Sequence, residues 1–545
     1  MFGELKQPNF SPLAFEILYD RYLHRDSDGN VTETPKEMLI RVAKHVASAE
    51  EPTDRVYWTS KFYAMMADLD FLPNSPTLMN AGRPAPHGQL AACFVVGIED
   101  SMESICGALR KQMLIHKTGG GTGFNFSKLR PKNSTVNSTN GRASGPVSFM
   151  RLFDLSTEVI QQGGMRRGAN MAILNCDHPD IEEFISCKDN EGKITNFNLS
   201  VGITDEFMKR ACDDPTSSAA ALLRKIAEHA WKSGDPGVVF FDAINRDNLC
   251  PQLGRIEATN PCGESPLLAN EACNLGSINL AHMVKGRRVN WNKLTDTVET
   301  AVRFLDDVIG VSQYPLPEIA EAVKQTRKIG LGVMGWADML YQLRIPYAST
   351  KAVDLANEIM AYIDDIAWDT SHKLGVEKSF CPTPLTYGMS ALFRNATVTC
   401  IAPTGTLALL ADCSSGIEPI FANYHTRKVT LGDGTIVEKE INNPHYMDLL
   451  NDEFFTDDEV AEITKTAYQI EWNWHIDHQA AFQQYTDLAV SKTVNLPNSA
   501  TVDDVIAVYV YAWKMGCKGT TIYRDGSRSS QVLTEAPVRC KECDV

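Results

Sequence analysis

The sequence has no long apolar run. No window approaches the roughly 18 apolar residues of a membrane span, and the start, Met1-Phe2-Gly3-Glu4-Leu5-Lys6, lacks the apolar stretch of a secretory leader. Excess positive charge is also missing: 52 Lys+Arg stand against 68 Asp+Glu, a net charge of −16. That balance argues against a protein built to grip nucleic-acid backbone, but leaves room for a local basic pocket that takes a small phosphorylated ligand. Internal repeats, heptads and low-complexity segments are absent, which removes solenoids, coiled coils and disordered scaffolds.

What remains is an ordinary globular composition, 43% hydrophobic and 22% charged over 545 residues, enough for one large or several domains. The 14 cysteines, spread from Cys93 to Cys543 without a leader, predict a cytoplasmic, mostly reduced chain. Most of these thiols then serve as small buried hydrophobes. Residues 1–70 read as helical, with apolar residues at helix spacing over Pro12–Leu18 and Met38–Ala43 and a turn at Asp26–Asn30. From Phe71 to about Tyr424, β-rich runs (Cys93–Val96, Met171–Leu174, Val238–Phe241, Val398–Ile401) alternate with helical stretches such as Leu222–Trp231 and Leu294–Ile309. The alternation predicts an α/β fold with a largely parallel sheet or barrel covered on both sides. Residues 425–470 read as an acidic, turn-rich surface insertion. Then follow a helix Ile470–Ala489, a strand Thr493–Leu496, a helix Val502–Met515, a strand Thr520–Tyr523 and a polar, mobile tail from Asp525 to Val545.

The densest chemistry lies in Asn260-Pro261-Cys262-Gly263-Glu264, followed by Cys273 in Glu271–Ser277. Pro261 and Gly263 suit neither a helix nor a central strand, so this is a loop that presents an amide, a thiol and a carboxylate together. A thiol S–H is comparable in strength to an activated sugar C–H, and a carboxylate can take a proton from a hydroxyl. Taken alone, the same cysteine reads more readily as a structural thiol in a turn.

This pentapeptide resembles the finger loop of ribonucleotide reductases, the enzymes that make deoxyribonucleotides. The resemblance continues in family order through Phe71–Asn80, Ala92–Val96, Gly119–Phe126, Gln162–Asn170, Ala402–Thr406 and Gly519–Ser527, nearly the whole chain. It implies a ten-stranded α/β barrel with a central finger loop over residues 71–524, a helical region at 1–70 and a flexible redox tail at 525–545. By the same resemblance, Cys262 is the thiyl radical that takes the 3′ hydrogen of the ribose, Glu264 the base on the 3′ hydroxyl, and Asn260 a hydrogen-bonding partner of the sugar. Cys93 and Cys273 are the dithiol that protonates the departing 2′ hydroxyl and ends as a disulfide. Restoring the sugar carbon needs two electrons and two protons, which a dithiol supplies.

Cys540-Lys541-Glu542-Cys543 is half a zinc site or a redox pair. The resemblance favours a shuttle that exchanges with the Cys93–Cys273 disulfide and is re-reduced by thioredoxin or glutaredoxin. Pro403-Thr404-Gly405-Thr406-Leu407 opens a helix and reads as a capped turn or a phosphate cradle; the resemblance makes it the substrate diphosphate site, with Ser75, Ala92 and the backbone at Gly121 as further contacts. Lys117–Gly123 lacks the spacing of a P-loop. Asp100, Ser101, Met102 and Arg130 match contacts of a second nucleotide site at a homodimer interface, where deoxynucleotides or ATP select the base to be reduced. The segment Gly163, Gly164, Met165, Arg166, Arg167 and Gly168 matches the loop that relays effector identity, its glycines suiting a backbone that changes conformation; the plain alternative is a surface turn.

Tyrosyl-radical members of the family use two adjacent tyrosines near the last strand, whereas here Ile522 precedes Tyr523. Asp525–Arg528 does not resemble a glycyl-radical segment. The adenosylcobalamin-dependent class is the remaining one and the most similar throughout. No Asp-x-His-x-x-Gly motif is present, in keeping with a class that leaves the cofactor's own lower ligand in place. His475 and His478, at i and i+3, read as a packing face rather than a metal site. About 70 residues before Phe71 leave no room for an ATP cone, which implies specificity control without on/off control by dATP. The alternatives are a reductase of the same family with a partner-derived radical and a non-catalytic nucleotide-binding regulator.

Overall fold

A computed structural model gives the fold; it describes residues 5–83, 88–136, 140–160, 168–189, 193–386, 392–430, 436–527 and 533–535, with backbone only for 424–430, 436–442 and 533–535. Three helices open the chain. Helix α1 (Pro12–Arg21) is capped by Ser11, whose hydroxyl accepts from the Ala14 N–H at 3.2 Å. Helix α2 (Pro35–Val46) starts on a Thr34–Glu37 capping box and buries Met38, Leu39, Val42, Ala43 and Val46, the inward stripe of its 3.6-residue period. Helix α3 (Arg55–Ala67) follows. Between α1 and α2, Asp26 Oδ1 accepts from the N–H groups of Asp28 and Asn30, which fixes the expected turn.

The rest of the chain builds a barrel from two parallel half-sheets. The first half runs β1 (Cys93–Val95), β2 (Gly121–Asn125), β3 (Asn170–Asn175), β4 (Phe197–Ile203) and β5 (Gly237–Phe240), each parallel to the next. The second contains the parallel pairs β6 (Ala272–Asn279) with β7 (Ile329–Met334), and β8 (Thr493–Leu496) with β9 (Gly519–Arg524). The halves meet antiparallel twice, at β1–β6 and at β5–β9. Phe71–Pro73 pairs antiparallel further along β6.

The run 398–401 closes the ring, but not as the regular strand expected. It forms isolated bridges, Leu331 to Thr399 and Ile401 to Val490. Its ladder is shared: Cys400 N–H donates to Leu331, and Ile401 N–H to Ala489. This pairing also shortens the expected helix 470–489 to Trp472–Gln483, because Leu488–Ser491 is drawn out to run beside Thr399–Ile401.

Side chains alternate across each strand, so the barrel has two cores. Inside lie Cys93, Val95, Met171, Ile173, Cys273, Leu275, Cys400 and Leu488. Outside, Phe94, Ala172, Leu174 and Ile278 pack beneath a helical layer. That layer includes α4 (Met102–Lys117), α5 (Pro146–Val159), α6 (Ser218–Ser233), α7 (Trp291–Val311), α8 (Thr350–Lys378), the short α9 (Gly405–Leu410), α10 (Trp472–Gln483) and α11 (Val502–Lys514).

Residues 425–470 are more ordered than the turn-rich reading implied. Strands Tyr424–Thr430 and Ile436–Asn442 form a hairpin, and helices Pro444–Leu450 and Asp457–Ile463 bury Leu449, Val460 and Ile463 against Ala337 and Tyr341. Part of the tail differs from expectation too, since Leu533–Glu535 adds a third strand to the hairpin. Among the described residues no helix is long and apolar enough to cross a membrane.

Candidate active site

The finger loop is the tip of a two-stranded hairpin, Ala258–Thr259 paired with Pro266–Leu267. Asn260 holds the tip: its Oδ1 accepts from the Ser265 N–H at 2.9 Å, and its carbonyl accepts from the Gly263 N–H at 3.1 Å. Gly263 sits at φ +83°, the left-handed region where a side chain would strain the turn. Asn198 Nδ2 ties the Pro261 carbonyl to β4 at 2.7 Å. The glycine-rich run Gly119–Phe126 is the floor under this loop rather than a phosphate loop. A Cβ on Gly123 would lie 1.6 Å from the Thr259 carbonyl oxygen, and one on Gly121 would lie 2.8 Å from Pro261 Cγ.

The loop tip lies in a cavity of about 330 Å³. Cys262 is exposed, while Asn260 and Glu264 are each 2% exposed. Asn260 Nδ2 donates to Cys93 Sγ at 3.1 Å, and the Cys93 thiol donates to Glu264 Oε1 at 3.6 Å. Amide, carboxylate and the Cys93 thiol are therefore one connected set, with Cys262 lining the same cavity, although Cys93 is distant from the loop in sequence. Cys273 faces Cys93 across the β1–β6 seam as its register partner, but is wholly buried and does not line the cavity. Burial pushes the Cys93 thiol well up, and the Glu264 carboxylate adds to the rise.

All the residues read as substrate contacts line the same cavity: Ser75, Ala92, Gly121, Pro403, Thr404, Gly405, Thr406 and Leu407. Thr404 precedes α9 but makes no side-chain cap; its hydroxyl accepts from the Gly416 N–H at 2.7 Å and so holds the loop. The first-turn N–H groups of such a helix have no acceptor within it. Two lining residues escaped sequence reading. Arg21 and Tyr22, at the end of α1, reach the cavity, and the Tyr22 hydroxyl meets Ser75 Oγ at 2.7 Å. Nothing local marks them, because only the packing of the helical region against the barrel brings them there. Cys400 was likewise read only as part of a strand. Its thiol donates to the Glu264 carbonyl at 3.2 Å, beside the Ala489 N–H at 2.9 Å.

Of the residues read as a second nucleotide site, Asp100, Ser101, Met102 and Arg130 lie at the start of α4 and beside it. Ser101 caps α4 through the Ser104 N–H, Met102 starts that helix, and Arg130 Nε donates to Asp100 Oδ2 at 2.7 Å. Gly168 packs on α4: a Cβ there would meet His116 Nδ1 at 2.7 Å, and the next residue, Ala169, lines the catalytic cavity. Gly163, Gly164, Met165, Arg166 and Arg167 lie outside the described residues, as do Cys540 and Cys543. His475 and His478 are both buried, the first accepting from Lys492 Nζ at 2.9 Å and the second donating to the Tyr347 carbonyl at 2.9 Å, so both are packing residues.

A finger loop carrying a thiol and a carboxylate inside a barrel of two parallel half-sheets defines a radical nucleotide reductase, and the comparisons agree. The family description "Ribonucleotide reductase, barrel domain" matches residues 91–218, 212–391 and 386–523, and "Ribonucleotide reductase, all-alpha domain" matches 8–86. The chain belongs to the ribonucleotide reductase family. It is 46% identical to a Mycobacterium tuberculosis (strain CDC 1551 / Oshkosh) protein named vitamin B12-dependent ribonucleoside-diphosphate reductase, over 98% of this chain and 82% of that protein. A Thermoplasma acidophilum protein of the same name is 41% identical over 97% of this chain and 81% of its own length. Among solved structures, the Actinobacillus ureae class Id ribonucleotide reductase alpha subunit shares the fold, with a TM-score of 0.79 at 23% identity over 96% of this chain and 99% of that one.

Proposed function

We infer that the chain reduces ribonucleoside diphosphates to deoxyribonucleotides with a radical drawn from adenosylcobalamin. The observation that carries this is the shared cavity: Cys262, Glu264, Asn260 and Cys93 stand in one chamber with the loop Pro403–Leu407. The residues present fit the cofactor. Cys262 is the exposed sulfur of the chamber, and Pro261 packs against Gly121 beside it. Ala169 and Pro261, lining the chamber with Cys262, would hold the group there. When bound, adenosylcobalamin supplies a carbon radical by cobalt–carbon homolysis.

The chain's own residues do the rest. The Cys262 thiol, oxidised to a thiyl, takes the 3′ hydrogen of the ribose. Glu264 accepts the 3′ hydroxyl proton, and Asn260, locked through Ser265, orients the sugar hydroxyls. Cys93 protonates the departing 2′ hydroxyl, and the Cys93–Cys273 pair delivers two electrons and closes as a disulfide. Pro403–Leu407, Ser75, Ala92 and Gly121 bind the nucleotide. Thioredoxin or glutaredoxin, reached through Cys540 and Cys543, would reopen the disulfide; a cytoplasmic setting suits a chain so rich in thiols.

A homodimer with its effector site at Asp100, Ser101, Met102 and Arg130 fits the surface. Met102 and Met113 on α4, with Leu152, Leu155 and Val159 on α5, are exposed at helical spacing on two adjoining helices, an apolar face that a second copy would cover. Deoxynucleotide or ATP effectors would then act through residues 163–168. The test is direct: purified protein with CDP, adenosylcobalamin and dithiothreitol forms dCDP with no second protein. Absence of product until another protein is added would overturn the reading.

A further inference from the structure

Behind the dithiol lies a buried ion pair with no part in the chemistry above. Lys328 and Glu271 are each 3% exposed, and Lys328 Nζ donates to Glu271 Oε2 at 2.7 Å. Glu271 is fixed further by the Leu268 N–H on Oε2 and the Thr326 hydroxyl on Oε1, both at 2.8 Å. Two charges taken out of water are costly, and apolar residues would fill the space as well. Of the two dithiol sulfurs the pair sits beside Cys273, and it also bears on the buried thiols of Cys250 and Cys381. Glu271 is two residues before Cys273, and the Lys328 carbonyl accepts the Cys273 S–H at 3.7 Å.

The two sulfurs of the pair thus stand in opposite surroundings. Cys93 lines the cavity and contacts the Glu264 carboxylate at 3.6 Å. Cys273 has no exposure, and the Lys328 ammonium is held on Glu271, two residues before it. Burial raises both thiols. At Cys273, Lys328 is the largest charge influence and opposes that rise, ahead of Glu271 and Glu264; at Cys93, Glu264 reinforces it.

We propose that Lys328, fixed by Glu271, is a positioning residue that gives the Cys93–Cys273 disulfide a direction, so that an incoming thiolate attacks Cys93 and Cys273 departs. The proposal rests on the reading of Cys93 and Cys273 as the reducing pair. In the step, a thiolate of an external dithiol bonds to Cys93 Sγ, the S–S bond breaks, and its electron pair leaves on Cys273 Sγ, which then takes a proton. The second thiolate of the reductant attacks the reductant sulfur in the mixed disulfide and releases Cys93, which is protonated in turn. Two electrons and two protons pass to the enzyme, and the reductant ends as a disulfide. Exchange is fastest where the attacked sulfur is accessible and the leaving sulfur is the better thiolate; Cys93 is the one that lines the cavity, and the Lys328–Glu271 pair stands beside the buried Cys273.

The full-length protein carrying Cys540→Ser and Cys543→Ser, whose tail cannot take over the disulfide, is oxidised by one turnover with substrate and adenosylcobalamin, then treated with mercaptoethanol, a monothiol that stalls at the mixed disulfide. It is quenched, capped with N-ethylmaleimide and mapped by peptide mass spectrometry. The expected result is mercaptoethanol on Cys93 and maleimide on Cys273, by roughly ten-fold or more over the reverse. Adduct on Cys273, or an even split, overturns the direction alone; absence of any Cys93–Cys273 disulfide after turnover overturns the reducing pair and the direction with it. Replacing both charges, Lys328→Met with Glu271→Gln, leaves no lone buried ion. In that variant, opening of the disulfide slows about ten-fold, more than its formation in a single turnover does, and Lys328→Arg with Glu271 retained restores it. Equal slowing of both steps marks a merely structural pair and overturns the proposal.

Discussion

Cys93 and Cys273 are register partners across the antiparallel seam between β1 and β6, one sulfur from each half of the barrel. Opposed residues of such a pair have Cα atoms about 4.5–5.5 Å apart, within the range a disulfide spans. The seam therefore brings together the two sulfurs of the proposed reducing pair, Cys93 against Glu264 and Asn260, without rearrangement of the backbone.

Cys273→Ser removes one half of that couple. Steady-state dCDP formation in dithiothreitol is expected to fall by roughly a hundred-fold or more, while the fold persists, because the hydroxyl keeps the acceptors at Asn274 and Lys328. Parental turnover would remove Cys273 from the reaction.

Glu264→Gln keeps the shape of a buried side chain and loses the carboxylate proposed as the base. Loss of general-base catalysis costs about 10²–10⁴ in rate, and kcat is expected to carry most of it, with KM for the nucleotide little changed. A variant that lost only nucleotide affinity would show Glu264 to be a binding residue.

The apolar face on α4 and α5 yields an association prediction. Leu155 and Val159 are 56% and 72% exposed, so charges there cost the single chain little. The double change Leu155→Asp, Val159→Asp should shift the protein to a monomer in sedimentation velocity and abolish the response of substrate choice to added deoxynucleotides. An unchanged sedimentation coefficient and effector response would exclude this face.

Acid sensitivity follows from the buried imidazoles. Burial pushes His478 down to about 3 and His475 well below its usual value, whereas a histidine in the unfolded chain titrates near 6.5. Below that pH the unfolded chain binds a proton that the folded chain refuses. The contribution of His478 is therefore whole above about pH 6.5 and falls as the pH drops, by up to about 1.4 kcal/mol per pH unit. Urea midpoints at neutral and mildly acidic pH measure this, and His478→Gln should flatten the dependence; an identical slope in the variant would contradict it.

Much of this molecule was legible before any coordinates. Thr493–Leu496 is read at its true limits because buried Val494 and Leu496 alternate with Thr493 and Asn495, and Cys93–Val96 within one residue because a strand buried on both faces spells a continuous apolar run. The finger loop announces itself through Pro261 and Gly263. What stayed hidden is non-local. No periodicity joins Arg21 and Tyr22 to a chamber whose thiols begin at Cys93, and the run 398–401 earns its place only by pairing with β7 on one side and 488–491 on the other. The Glu271–Lys328 pair is silent for the same reason, since neither charge signals burial until the strands around Cys273 are in place.

The most direct measurement is deoxyribonucleotide formation by Cys262→Ser, with CDP, adenosylcobalamin and dithiothreitol supplied. Cys262 is exposed, so the oxygen-for-sulfur change should leave the urea midpoint at the parental value. The account predicts a folded protein that still binds CDP and forms no dCDP above background. Formation of dCDP by this variant at the parental rate would contradict it.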